Sequence, residues 1–165
     1  MKVIGVAGFK NAGKTTLVEK LVRHLAADGY RVSTVKHAHH SFDIDHEGRD
    51  SFRHRKAGAM EVAVISRERT AIIHELRGHR EPALDEVLGK LAPCDIVIVE
   101  GYKRDAHEKI EVRNLALGHP ELAGDDPTVI AIAANGAVAA APVPVFDRDD
   151  VSALAAFIVG HLKLR

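Results

Sequence analysis

Cysteine is almost absent. Cys94 is the single thiol among 165 residues, so no intrachain disulfide can form, and the chain suits a reducing cytosol. An excess of one charge is also missing. Lys plus Arg and Asp plus Glu each number 23, which leaves no net basic field to recruit nucleic acid. No apolar run approaches the roughly 20 residues of a membrane span, so no membrane partner is expected. The first residues read as a strand running straight into a glycine loop, which leaves no room for a signal peptide. Repeats, linkers and low-complexity tracts are not seen, and the length fits a single domain over residues 1–165. What is there is an ordinary globular composition, 46% hydrophobic and 28% charged. Histidine is the outlier, with 11, many of them between positions 37 and 54.

The chain is organised around Gly8-Phe9-Lys10-Asn11-Ala12-Gly13-Lys14-Thr15, which fits the phosphate-binding pattern G-x-x-x-x-G-K-[ST]. Before it, Lys2 to Ala7 is short, apolar and β-branched, a buried strand. After it, Leu17, Val18, Leu21, Val22 and Leu25 recur at helical spacing. Strand, glycine loop, helix is the context the motif needs. Glycines at both ends let the backbone take positive φ and approach a ligand closely. The N–H groups from Lys10 through Thr16 then converge on an anion at a helix N-terminus. Lys14 places a point charge between the β- and γ-phosphates, the Thr15 hydroxyl is positioned for Mg²⁺, and Thr16 reaches the α-phosphate.

Further along, a helix is expected from Lys14 to about Ala27, stopped by Gly29. Tyr30 to Val35 is a second strand, parallel to the first. The polar stretch Lys36 to Gly48 leaves a carboxyl strand end, where open α/β sheets bind ligands, and reads as an active-site loop. A short helix from Arg49 to Ala57 puts Arg49, Arg53 and Lys56 on one face, with His54 and Arg55 beside them. Glu61 to Ile65 and Thr70 to Leu76 form a hairpin without Asn-Gly turn chemistry, either an internal pair or an edge for a second subunit. Pro82 opens a helix carrying Leu84, Val87, Leu88 and Leu91, which Pro93 ends. Asp95 to Gly101, Thr128 to Ala133 and Val143 to Phe146 are strands. Asp149 and Asp150 cap a last helix with Val151, Leu154, Ala155, Ile158 and Leu162 on one face. Leu117 to Pro127 is the expected mobile connection. The fold class is α/β, a three-layer P-loop fold: a mostly parallel sheet flanked by helices, plus an antiparallel hairpin.

Glu100 ends an apolar strand, as a Walker B acid does. Sheet topology brings it beside the P-loop, where it holds Mg²⁺ or orients the attacking water. Lys14 and Glu100 are therefore the catalytic candidates, and Thr15 and Glu100 the metal ligands. A further acid comes from the loop after the second strand, with Asp45 preferred over Asp43; both are alternatively loop caps. His37, His39, His40 and His46 raise a transition-metal site as an alternative, without a closed structural-zinc spacing. Asn135 follows a buried strand where many guanine nucleotide-binding proteins read the base. The usual Asn-Lys-x-Asp is absent, so these residues do not identify the base.

Four stretches resemble one family: Val6 to Leu17, Thr34 to His40, Phe42 to Ala59, and Val99-Glu100-Gly101-Tyr102-Lys103. They are similar to the MobB family of molybdopterin-guanine dinucleotide biosynthesis adaptor proteins, over about the first two-thirds of the chain. The resemblance implies a GTP-binding protein with weak Mg²⁺-dependent hydrolysis and a homodimer. It also implies partnership with a MobA-like molybdopterin guanylyltransferase, with molybdopterin as a candidate ligand. Lys14 and Thr15 carry over as phosphate and Mg²⁺ contacts, and Glu100 as the Walker B acid. Some relatives of the wider class carry a lysine directly after the first P-loop glycine that acts across a dimer; Phe9 stands there, and Lys10 does not inherit the role. Two other classes stay open: a nickel-delivering GTPase chaperone, and a small-molecule kinase. The first tends to have Glu-Ser-Gly-Gly after the Walker B strand, where this chain has Glu100-Gly101-Tyr102-Lys103.

Overall fold

The computed structural model describes residues 1–38 and 42–165. They form two compact units, one of residues 1–37 with 87–165 and one of residues 38–86.

The first unit is built on β1 (Lys2–Ala7), α1 (Lys14–Ala27) and β2 (Val32–Lys36), as the strand–loop–helix pattern predicts. With β5 (Ile96–Glu100), β6 (Lys109–Arg113), β7 (Val129–Ala134) and β8 (Val145–Asp147), these strands form a sheet in the order β2-β5-β1-β6-β7-β8. Every neighbouring pair is parallel. The continuous apolar runs of β1 and β5 put them inside the sheet, since a strand covered on both faces needs no polar alternation. The register pairs Val6 with Glu100 and Lys36 with Glu100, so three strands present their ends at one carboxyl edge.

Leu17, Leu21 and Leu25 of α1 recur one helical turn apart and are almost wholly buried against Ile4, Val6, Ile96 and Ile98. Helix α4 (Val151–Leu162) packs beside α1 and adds Leu154, Ile158 and Leu162 to the same core. Asp150 caps it, accepting from the Ala153 amide at 3.0 Å, whereas Asp149, expected to share that task, binds Lys20 at 2.6 Å. Behind β7, a smaller cluster joins Ile132 and Ala134 to Leu122, Ala123, Val138 and Val143.

Two expectations change. Strand β6 was not foreseen, because Lys109, Glu111 and Arg113 alternate with Ile110 and Val112 like a half-solvated surface segment; all five are buried. The Leu117–Pro127 stretch, expected to be mobile, is tied down by that strand. Glu111 accepts from the Leu122 and Ala123 amides, both at 2.9 Å, and Arg113 pairs with Glu121 at 2.8 Å.

The second unit contains α2 (Asp50–Lys56) and the hairpin β3 (Glu61–Ile65) and β4 (Thr70–His74), an antiparallel pair forming its own two-stranded sheet. Ser66 supplies the turn chemistry that Asn-Gly would have given: its hydroxyl accepts from the Glu68 and Arg69 amides. Val64, Ile65 and Ile72 remain largely exposed, Ile65 at 73%. The Pro82 helix is shorter than its periodicity implies. As α3 it spans Leu84–Leu88, because the Lys90 and Leu91 amides turn back to Val87 and Leu88, three residues earlier.

Candidate functional site

The P-loop lies between β1 and α1. Gly13 caps α1 in the left-handed region at φ 102° and offers no side chain, so the first-turn amides have no acceptor within the helix. No acidic residue lies in that first turn, which keeps the positive end of the helix dipole open to an anion. Gly8 is required twice over: φ is 148°, and a Cβ there would sit 2.6 Å from the Val112 carbonyl oxygen of β6. Asn11 also takes positive φ, at 63°. Arg148, just beyond β8, donates to the Ala12 carbonyl at 3.0 Å, and His119 bonds the Lys10 carbonyl at 3.2 Å. The loop is thus held by Arg148 and by His119 in the connection after β6, with the Val112 carbonyl of β6 close against Gly8.

Lys14 donates to the Phe9 carbonyl at 2.8 Å, bridging its own loop. Burial pushes its pKa below the ordinary lysine value; Glu100 opposes that shift, and Lys103 and Lys36 add to it. Thr15 donates its hydroxyl to Glu100 Oε1 at 2.9 Å, although 85 residues separate them in sequence. On the other carboxylate oxygen, Lys36 Nζ stands 3.5 Å from Oε2. The ends of β2 and β5 are locked together: the His37 amide donates to the Glu100 carbonyl at 2.8 Å, and the His37 and Tyr102 rings lie 4.5 Å apart. Gly101 at φ 104° permits this, since a Cβ there would fall 2.6 Å from that of His37.

Lys14, Thr15 and Glu100 therefore come together, while Lys10, Asn11, Ala12 and Gly13 form the loop around them. Thr16 lies beside Gly13, Leu17, Lys20, Arg148 and Asp149, around a cavity of about 120 Å³. A hydroxyl and a carboxylate side by side are hard oxygen donors, and with a glycine cradle open to phosphate they fit a Mg²⁺–polyphosphate.

Asp45 belongs to the second unit and has its own partners there. One oxygen accepts from Ser51 at 2.9 Å and from the His46 amide, and the other faces Arg55 Nε at 3.3 Å. Arg55 also holds Asp43 at 2.8 Å and Glu75 at 2.7 Å, and this raises its pKa and lowers that of Asp43. The carboxylates of Asp43 and Asp45 are thus loop-fastening groups in this structure. Asn135 accepts from the Leu115 amide at 2.8 Å and donates to Asn114 at 3.0 Å, fastening the turn after β6. His39 and His40 lie outside the described residues. Among the described residues, no three His, Cys, Asp or Glu side chains converge on a metal-sized site.

Lys36, expected only as the first residue of an active-site loop, contributes at the site, and Arg148, Glu111 and His119 contribute without having been expected. Only Lys36 carries a signal in the sequence, as a cation at a strand's carboxyl end.

Fold and site together define a P-loop protein of the nucleotide-binding α/β class. The family described as "MobB: Molybdopterin guanine dinucleotide synthesis protein B" matches residues 3–135, and the chain belongs to that family. It is 36% identical over 164 residues to the molybdopterin-guanine dinucleotide biosynthesis adapter protein of Escherichia coli K12, covering 98% of this chain and 93% of that one. A Haemophilus influenzae protein of the same description is 37% identical over 135 residues, covering 81% of this chain and 74% of that one. The crystal structure of a MobB homolog from Bacillus stearothermophilus superposes with a TM-score of 0.71 at 28% identity, over 100% of both chains.

Proposed function

We propose that the chain is a GTP-binding adaptor in molybdopterin guanine dinucleotide biosynthesis, with slow Mg²⁺-dependent GTPase activity. The observation that carries this function is the Thr15–Glu100 contact at 2.9 Å at the mouth of the P-loop. Lys14 leaves the Phe9 carbonyl for the phosphates, and the first-turn amides of α1 bind the β-phosphate side. Thr15 and Glu100 would hold Mg²⁺, which neutralises phosphate charge. Glu100 otherwise orients the attacking water. Slow turnover follows from the arginines bordering the loop: Arg113 is held by Glu111 and Glu121, and Arg148 by the Ala12 carbonyl. Neither is placed as an arginine finger.

The adaptor role rests on family membership and on the names of the relatives. It pairs this chain with a MobA-like guanylyltransferase, with molybdopterin as a further ligand. Residues 1–165 then act as one cytoplasmic nucleotide-binding domain in which 38–86 is an insert. The exposed Ile65 and Ile72 on a two-stranded sheet with open edges support a homodimer.

Calorimetry of GTP against ATP, with and without Mg²⁺, tests this function. The wild type should take GTP with Mg²⁺, Lys14→Ala should bind neither, and Glu100→Gln should bind GTP but hydrolyse it more slowly. Intact GTP affinity in Lys14→Ala refutes the assignment.

A further inference from the structure

Lys36 is a cation that phosphate binding and hydrolysis, as described, leave without a task. It is the last residue of β2, paired in register with Glu100, the last residue of β5. Adjacent register partners on parallel strands project to the same face of the sheet. The strand ends cannot shear apart, because the His37 amide bonds the Glu100 carbonyl and Gly101 seats the His37 backbone. The Lys36 side chain, by contrast, is 61% exposed and has room to move. Its amine stands 3.5 Å from Glu100 Oε2, and the other oxygen of that carboxylate meets Thr15 on the first turn of α1. The amine is therefore one carboxylate away from the glycine cradle.

Glu100 faces two claimants. In the bare site it balances Lys36 and accepts from Thr15. If it turns to a divalent cation, a lysine ammonium a few ångströms away is repelled by that cation and loses its counter-charge. The nearest new anion is the outermost phosphate, which a triphosphate has and a diphosphate lacks.

We propose that Lys36 reads the third phosphate: its ammonium exchanges Glu100 for the γ-phosphate when the metal site fills, making the site selective for triphosphate over diphosphate. This rests on the assignment of the P-loop to a nucleotide and names the residue by which that site tells its two nucleotide forms apart.

The test uses Lys36→Met, which keeps the apolar stem and removes the charge, and Lys36→Arg, which keeps the charge. Dissociation constants for GTP and GDP are measured by calorimetry at saturating Mg²⁺. Mn²⁺ affinity is then measured by electron paramagnetic resonance on the GDP complex. In Lys36→Met the preference for GTP over GDP should fall about tenfold through weaker GTP binding, GDP affinity staying level. Mn²⁺ should bind about threefold more tightly, because a competing cation beside Glu100 is gone. Lys36→Arg should keep most of the preference. A purely structural lysine would weaken GTP, GDP and Mn²⁺ together. An unchanged GTP/GDP ratio, a parallel loss of both nucleotides, or unimproved Mn²⁺ binding each overturns the proposal. A wild type that binds neither nucleotide overturns the P-loop assignment and this one with it. When the wild type binds both, failure of the variant ratios overturns the role of Lys36 alone.

Discussion

Replacing Glu111 with alanine should be among the most destabilising single changes outside the apolar core. Glu111 is 1% exposed and Arg113 7% exposed, on neighbouring same-face positions of β6. The carboxylate accepts from Arg113 Nη2, Leu122 N and Ala123 N, each at 2.9 Å. Its removal leaves a buried guanidinium with Glu121, whose side chain is 63% exposed, as its one remaining carboxylate partner among the described residues, and takes the acceptor from the buried Ala123 amide. Breaking one side of a buried pair costs about 3–5 kcal/mol. An orphaned buried amide costs about 1–3 kcal/mol, part of which the first figure already contains. The expected loss is about 4 kcal/mol, a large share of the roughly 5–15 kcal/mol of a typical domain. Glu111→Gln keeps the shape and one acceptor oxygen but turns a donor toward one of the two amides, and should lose about half as much. Glu121→Ala removes the exposed partner of the same arginine and should lose less than about 1 kcal/mol. The chain has no tryptophan, so urea unfolding is followed by far-ultraviolet circular dichroism at fixed slope m. A Glu111→Ala loss below about 1 kcal/mol, or one equal to that of Glu121→Ala, would show that β6 does not depend on its buried charges.

Gly8→Ala should destabilise the chain by at least about 1–3 kcal/mol from backbone strain alone. It should also abolish triphosphate binding, because the new methyl is 2.6 Å from the Val112 carbonyl and pushes the loop off β6; calorimetry and urea unfolding check both. His107 sits with both ring nitrogens buried and unbonded, its Nε2 2.5 Å from where a Gly5 Cβ would stand. Burial, with Lys109 adding to it and Asp105 and Asp126 opposing, holds its pKa below the ordinary histidine value. The unfolded chain then binds this proton first, so stability is full above the unfolded pKa of about 6.5 and falls as the pH drops through and below it, until the folded histidine also takes up its proton. The steepest slope one such proton allows is about 1.4 kcal/mol per pH unit. His107→Phe should flatten that slope below the unfolded pKa, and an unchanged slope would assign it to other groups.

Glu100 and Thr15 can be matched from the sequence because each announces itself locally. One ends a run of four β-branched residues, and the other closes a glycine-lysine-threonine motif whose spacing leaves few alternatives. Their meeting at 2.9 Å follows from parallel topology, which strand–helix alternation already implies. The α1 and α4 faces are legible for a similar reason, since helical spacing of leucines records burial directly. Strand β6 is not legible. Lys109, Glu111 and Arg113 have the alternation of a solvated strand, and only the tertiary structure supplies the acceptors and donors that let them be buried: Asp105, Thr128, the Leu122 and Ala123 amides, and Glu121. Burial of a charge is a property of its neighbours, and those neighbours lie up to 19 residues away in sequence. The same holds for Asp45, whose residue type suits a metal ligand or a loop fastener equally well. In this structure Ser51 and Arg55 hold it, which the residue type alone does not foretell. Local spacing determined the P-loop, the strands and helices other than β6, and the core faces of α1 and α4. Which charges are buried, and which partner each side chain keeps, waited for the chain to close on itself, because a hydrogen bond is fixed by distance in space and sequence records only distance along the chain.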